Sequence, residues 1–287
     1  MNPSNSSNAD NPLGIAPIGS LLAKFAIPAI ISMLVNALYN IVDQIFIGQG
    51  VGYLGNAATN VAFPLTTICL AITLLISIGS ASRFSLSLGE GDADRAAQAV
   101  GNALAMMVLF GILYTLCIEI FLVPLLNAFG ATQDVLPYAI EYTRITAVGM
   151  PLLIITNGMS NLARADGSPN YSMMCMLIGA IINTILDPLF IFKFHMGVRG
   201  AAFATVIGQF FSFLMALYYV KKFTHIRLKK QHFILKPQVC LNIASLGMSN
   251  CLNQVAITFV QIVMNNSMTY YGAKTIYGSE IPLAASG

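Results

Sequence analysis

Charge is what this sequence has least of. Only 9% of its 287 residues are Asp, Glu, Lys or Arg, while 56% are hydrophobic; an ordinary soluble domain carries roughly 25% charged residues. Too little of the chain can face water for a soluble fold. A net charge of +3 is too small and too scattered for a nucleic-acid surface. The five cysteines, Cys69, Cys117, Cys175, Cys240 and Cys251, lie in or beside apolar segments without CxxC spacing, which leaves them as small buried hydrophobes. The three histidines, His195, His225 and His232, fall in loops with neither metal-ligand nor nucleophile spacing. A phosphate-binding GxxxxGK[ST] loop is missing, so ATP does not drive the chain directly, and no cofactor is expected. Gly50, Gly52 and Gly55 do fit G-x-G-x-x-G, but they follow a membrane-length apolar run and lack an acidic partner some twenty residues on; a tight turn explains them. Met1 to Asp10 is polar and without basic residues, so no cleavable signal peptide is expected. Nothing here points to an enzyme.

What the sequence has is long apolar runs. Seven can be read: Leu21 to Ile47, Val61 to Ser82, Ala99 to Leu126, Ala139 to Met159, Tyr171 to Phe192, Ala201 to Val220 and Cys240 to Val263. Each is long enough to cross about 30 Å of hydrocarbon. Alternating stretches of about ten residues, the mark of barrel strands, are absent, and a backbone in lipid must satisfy its own hydrogen bonds, so the segments are helices. The fold class is an all-α polytopic membrane protein. With the N-terminus in the cytoplasm the inner side holds ten Lys and Arg (Lys24, Arg83, Arg95, Arg164, Lys221, Lys222, Arg227, Lys229, Lys230, Lys236), and the outer side holds Lys193, Arg199 and Lys274. The positive-inside rule selects that orientation, in a plasma (inner) membrane. Four regions follow: a polar cytoplasmic N-terminus at 1–20, a six-helix lobe at 21–220, a basic cytoplasmic loop at 221–238 and the start of a second lobe at 239–287. Sliding the chain by 218 residues lays Asn36 on Gln254 and Asp43 on Gln261, a hint of a parallel repeat of six helices. A further bundle is expected beyond Gly287.

An acid inside a membrane is costly unless it is paired, hydrated or protonated, and Asp43 and Asp187 stand out on that account. In the first segment Asn36, Tyr39, Asn40 and Asp43 are spaced i, i+3, i+4, i+7, one polar stripe on an apolar cylinder that should face the bundle interior. In the fifth, Asn183 and Asp187 share a face and Pro188 follows. Proline lacks an N–H, so the Thr184 carbonyl is expected to lose its helical partner and to become available to a cation or water. Counted from the outer segment ends, Asp43, Asp187 and Thr205 lie within about one turn of the same depth. They can converge in an outward-facing cavity, and a structural role in helix packing is the competing expectation. Tyr142 is a further cavity candidate. Glu119 and the pair Glu141 and Arg144 sit near outer helix ends and are read as structural or snorkelling residues; the i, i+3 spacing of that pair allows a local salt bridge. The methionines and phenylalanines are read first as lipid-facing or packing residues.

Taken together, Pro28 with Asn36, Tyr39 and Asp43, the loop LGEGDADRA (Leu88 to Ala96), RADGSP (Arg164 to Pro169), Asn183 with Asp187 and Pro188, and GVRGAAFAT (Gly197 to Thr205) resemble the multidrug and toxic compound extrusion (MATE) exporters over essentially the whole chain. The resemblance implies the first six-helix lobe, plus helix seven, of a twelve-helix, two-lobe antiporter that exports organic cations and amphipathic drugs against Na⁺ or H⁺. It implies a coupling-ion site on Asp43, Asn183, Asp187 and Thr205, with Asp43 and Asp187 as Na⁺ ligands if sodium is the ion, and a helix bend at Pro28; the residues themselves suggest a substrate cavity holding Asn36, Tyr39, Asn40 and Tyr142 and a bend at Pro188.

The function expected from these readings is secondary active multidrug export, with cation binding at Asp43 and Asp187 exclusive with drug occupancy. The partners are small-molecule drugs and the bilayer, no nucleic acid, and a monomer is expected. A lipid-linked glycan flippase is the first alternative; such a cavity needs several basic residues for a pyrophosphate, and apart from Lys24 at the start of the first segment only Arg144 lies inside one. A non-transporting receptor is the second, suggested by seven helices.

Overall fold

The computed structural model describes residues 17–276 and 278–285. The expected cytoplasmic N-terminus falls mostly outside the described residues, up to position 16. Seven long helices follow one another: α1 (Ile18–Gly50), α2 (Tyr53–Gly89), α3 (Ala93–Ala128), α4 (Leu136–Ala165), α5 (Pro169–Pro188), α6 (Val198–Tyr219) and α7 (Pro237–Gly272), with a short α8 (Glu280–Ala285) at the end. All seven are long and apolar enough to cross a membrane. Among the described residues there is no strand. The chain is an all-helical protein of membrane-spanning length, as the apolar runs require.

Turn chemistry sets the helix ends. Gly52, at φ 88°, makes the tight turn between α1 and α2, which disposes of a dinucleotide loop there. Gly91, at φ 78°, turns the chain into Asp92, whose carboxylate accepts the Arg95 N–H at 2.9 Å and caps α3. Within the helices, apolar length is spent on lipid as much as on a core: Met33 and Leu38 on α1 and Leu252 and Phe259 on α7 are exposed, Phe259 by 67%. The buried core runs between α2, α3 and α4, through Leu65, Ile76, Phe84, Met107, Ile154 and Leu162. α4 packs against α2, α3, α5 and α6, α1 leans on α5, and α7 lies along α2.

The α2–α7 crossing is a backbone-to-backbone contact. A methyl at Gly79 would collide with the Ile243 carbonyl oxygen, and one at Gly247 with the Leu75 carbonyl oxygen. Small residues allow such approach where no hydrophobic force pulls helices together in lipid.

Proline acts differently at its several positions. α1 is helical straight through Pro28, and Ser32 Oγ donates to the Pro28 carbonyl at 2.7 Å. After Pro188 the helix widens into a π-turn, Leu189–Lys193. An irregular residue unforeseen from the sequence is Phe121 (φ −107°, ψ 20°), three before Pro124 in α3.

The basic loop after α6 is fastened to the bundle. Buried Asn102 on α3 donates to the carbonyls of His232 and Ile234 at 3.0 and 3.2 Å and accepts the Lys236 N–H at 2.8 Å. Asp166, at the α4–α5 turn, accepts from the Tyr219 hydroxyl at 2.8 Å, the Thr224 N–H at 2.9 Å and His225 Nδ1 at 2.9 Å. One local expectation fails: Glu141 and Arg144 do not pair. Arg199 donates to Glu141 at 2.7 Å, and Arg144 stands 3.7 Å from Glu119. Both long side chains reach a neighbouring helix, where the partner's charge lies closer than the i, i+3 residue on their own.

Candidate functional site

Among the buried polar residues are Asp43, Asn183 and Asp187, from α1 and α5. Asp43 is 7% exposed and Asp187 fully buried, and the two carboxyl groups, from α1 and the last turn of α5, face each other within hydrogen-bonding reach. Asn183 is one helical turn before Asp187 and is equally buried. Its amide orientation follows from its neighbours: the NH₂ donates to Asp187 Oδ2 at 3.0 Å, and the carbonyl accepts from the Thr205 hydroxyl at 3.3 Å and the Thr205 N–H at 3.2 Å. Tyr142 on α4 lines the same pocket as Asp43 and Thr205. The four residues implied as a coupling-ion set thus sit together, with Tyr142 at their edge.

Two carboxyls in contact away from water cannot both carry charge without a proton or a cation between them. Asp43 Oδ1 is buried with no hydrogen-bond donor to it among the described residues. The two carboxyls, with the Thr205 hydroxyl one residue behind them, are hard oxygen donors of the kind that suits Na⁺ as well as a proton. No three His, Cys, Asp or Glu side chains converge as a metal-binding group among the described residues.

Three cavities surround α1. The first, of about 90 Å³, lies within the bundle and is lined by Ser32, Asn36, Tyr39, Asn183, Thr205 and Gln209. The second is an open space of about 730 Å³ between α1, α2 and α7. The third, again about 90 Å³, holds Asp43 with Tyr39, Tyr142 and Thr143. The polar stripe on α1 is therefore divided. Asn36 faces the first cavity, Tyr39 the first and third and Asp43 the third, while Asn40 reaches the second and third and donates back to Asn36 Oδ1 at 2.9 Å. Pro28 and Pro188 line none of the three; Pro188 acts through the π-turn beside Asp187. Sequence reading passed over Gln44, Thr59, Asn60 and Gln209, although each is a polar residue in an otherwise apolar helix, the same signal that singled out Asn36 and Asn40.

Comparison with known proteins places this arrangement. The MatE family pattern matches residues 28–189, which hold Asp43, Asn183 and Asp187. A FAD transporter of Shewanella oneidensis is 32% identical over 70% of this chain and 44% of its own length. The multidrug export protein MepA of Staphylococcus aureus is 25% identical over 90% of this chain and 57% of its own. The solved structure of the MATE multidrug transporter DinF-BH superposes with a TM-score of 0.87 at 31% identity, over 96% of this chain and 60% of that one. The chain spans about half the length of the curated relatives it matches. With a family pattern that covers more than half of its residues and a fold shared nearly end to end, the chain belongs to the MatE family of multi-pass membrane transporters.

Proposed function

We propose that this chain forms the ion-coupling part of a secondary active exporter that moves amphipathic drugs, organic cations among them, out of the cell against a proton gradient. The observation that carries this reading is the meeting of Asp43 and Asp187 from helices far apart in sequence. A buried carboxyl pair in contact holds a proton between its members, and separating or exposing the pair releases it. Cargo entry that shifts α1 would draw Asp43 away from Asp187, so proton and cargo exclude each other. Asn183, itself held by Thr205, keeps the Asp187 carboxyl in place. In this reading α1–α6 (21–220) turn as one lobe, 239–287 begins a second, the protein works as a monomer in the plasma membrane, and its N-terminus is cytoplasmic. The names of the relatives support drug export and also allow a nucleotide-bearing cargo.

Sodium coupling is the second reading, favoured by the unpartnered Asp43 Oδ1 and the oxygen-only donor set. Efflux of a fluorescent drug from vesicles under separately imposed gradients tests both. A proton gradient alone should drive efflux, and Asp43→Asn should lose it. Efflux driven by Na⁺ alone selects the second reading; efflux that answers to neither gradient ends both.

A further inference from the structure

Hydroxyls inside helices usually return to their own backbone. Ser32, Thr73 and Thr184 do so here, each donating to the carbonyl four residues earlier at 2.7 to 2.8 Å. On α4, Thr156 and Ser160 do not. Thr156 is only 7% exposed and Ser160 is buried as well, and the hydroxyl oxygen of each has no hydrogen-bond partner among the described residues. Asp43 Oδ1, Thr143 Oγ1 and Gln209 Oε1 share that condition, while Asn56 Oδ1 and Ser87 Oγ, which share it too, belong to α2. Leaving a buried polar atom unpaired is costly, so a series of them inside one lobe calls for a common partner, and water is the partner that fits a polar cavity.

These oxygens follow the cavities. Asp43 and Thr143 line the third, Thr156 the first, and Gln209 both. The first cavity descends from the carboxyl pair. Its walls run from Asn183 to Met176 on α5, from Thr205 to Ser212 on α6 and from Tyr39 to Ser32 on α1, two turns on each helix, or roughly 10 Å, and all toward the end that carries the basic loop. At about 90 Å³ it has room for several waters. Gln209 has its place there because the neighbouring residue on α4 is Gly149, where a methyl would collide with Gln209 Oε1. Past the cavity the polar seam continues: Thr156, Ser160 and Arg164 are four apart on α4 and share a face, and Ser172 lies one turn before Met176 on α5. The seam ends where Arg164 Nη2 donates to the hydroxyl of the buried Ser172 at 3.4 Å.

We propose that this seam is the path by which the coupling proton leaves the Asp43–Asp187 pair for the cytoplasm, with Thr156 and Ser160 as relays and Arg164 as the gate at its mouth. When cargo separates the pair, the proton that the pair held passes to a water in the first cavity, and both carboxyls are left charged. That water gives up one of its own protons in turn. A hydroxyl can carry the next step, because it accepts a proton on its oxygen while it donates its own hydrogen onward. A side-chain amide oxygen only accepts, so Gln209 orients the waters and does not conduct. Each relay ends as it began, and one proton reaches cytoplasmic water. A path open at both ends would drain the gradient that drives export; the bond between Arg164 and Ser172 supplies the closure, with a positive charge at the mouth. The assignment rests on the proton-coupled reading and adds the route of release.

The test is ethidium efflux from proteoliposomes under an imposed proton gradient, measured in H₂O and in D₂O. Thr156→Val keeps the shape of the side chain, and since the hydroxyl has no partner among the described residues the variant gives up no hydrogen bond within them. It should lower the efflux rate at least about tenfold and raise the ratio of the rates in H₂O and D₂O above the wild-type value, because proton transfer becomes the slow step. Ethidium affinity and thermal unfolding should stay as in the wild type. Ser160→Ala should act in the same direction, and Thr156→Ser, which keeps the hydroxyl, should restore the rate. An unchanged rate in Thr156→Val overturns the assignment, and so does a slower rate with weakened ethidium binding and an unaltered isotope ratio, or a Thr156→Ser variant that stays slow. The coupling reading fails separately, through wild-type efflux that ignores the proton gradient or efflux that persists in Asp43→Asn.

Discussion

Asp43→Asn and Asp187→Asn keep the size of the side chain and remove its ability to give up a proton. In the proposed exchange each should lower gradient-driven efflux by more than about tenfold, the scale on which losing a general proton carrier is felt, while expression in the membrane stays intact. Asn183→Ala acts otherwise. It removes the donor to Asp187 and the acceptor for Thr205, leaving buried groups unpaired at about 1–3 kcal/mol, so lowered thermal stability should accompany its lost transport. The carboxyl pair was legible in the sequence because an acid in an apolar run stands out at once, and because depth could be counted from segment ends. The partners of Glu141 and Arg144 were not legible. Local spacing offers each the other, and only the packing of α3, α4 and α6 brings Glu119 and Arg199 nearer.

Elements were easier to read than their ends. All seven spanning helices were visible as apolar runs, since the bilayer fixes a minimum length. α2 nevertheless extends from Tyr53 to Gly89, well past the run Val61 to Ser82, and its polar residues Thr59 and Asn60 find partners inside the bundle. The crossing of α2 and α7 was invisible: glycine is common in such helices, and nothing local marks Gly79 and Gly247 as facing each other. Gly79→Ala and Gly247→Ala should each destabilise the protein by about 1–3 kcal/mol through overpacking. Gly19→Ala, where a methyl meets nothing within 4 Å, should be neutral in the same thermal unfolding measurement. The clasp at Asn102 was equally hidden. Read as a linker, the loop Lys221 to Lys236 is held by an α3 side chain that binds its backbone, so Asn102→Ala should raise protease cleavage within the loop before any change in helix content.

The molecule as a whole has one long axis, with the carboxyl pair and the open space between α1, α2 and α7 in the half toward the α1–α2 turn and the clasped basic loop at the opposite end. By the positive-inside rule that loop is expected in the cytoplasm. In a cysteine-free background, Gln133→Cys, exposed in the α3–α4 turn, should react with an impermeant maleimide from outside, and Lys230→Cys only after the membrane is opened; the reverse pattern inverts the topology and with it the direction of transport. The account as a whole depends on cargo and proton excluding each other at the Asp43–Asp187 pair. Calorimetry of cargo binding at fixed pH, in two Na⁺-free buffers of different ionisation heat, counts the protons exchanged. The account predicts release of about one proton per cargo bound, since the pair titrates as a unit, and none in Asp43→Asn. Binding with no proton released, or with the same release in the variant, contradicts it.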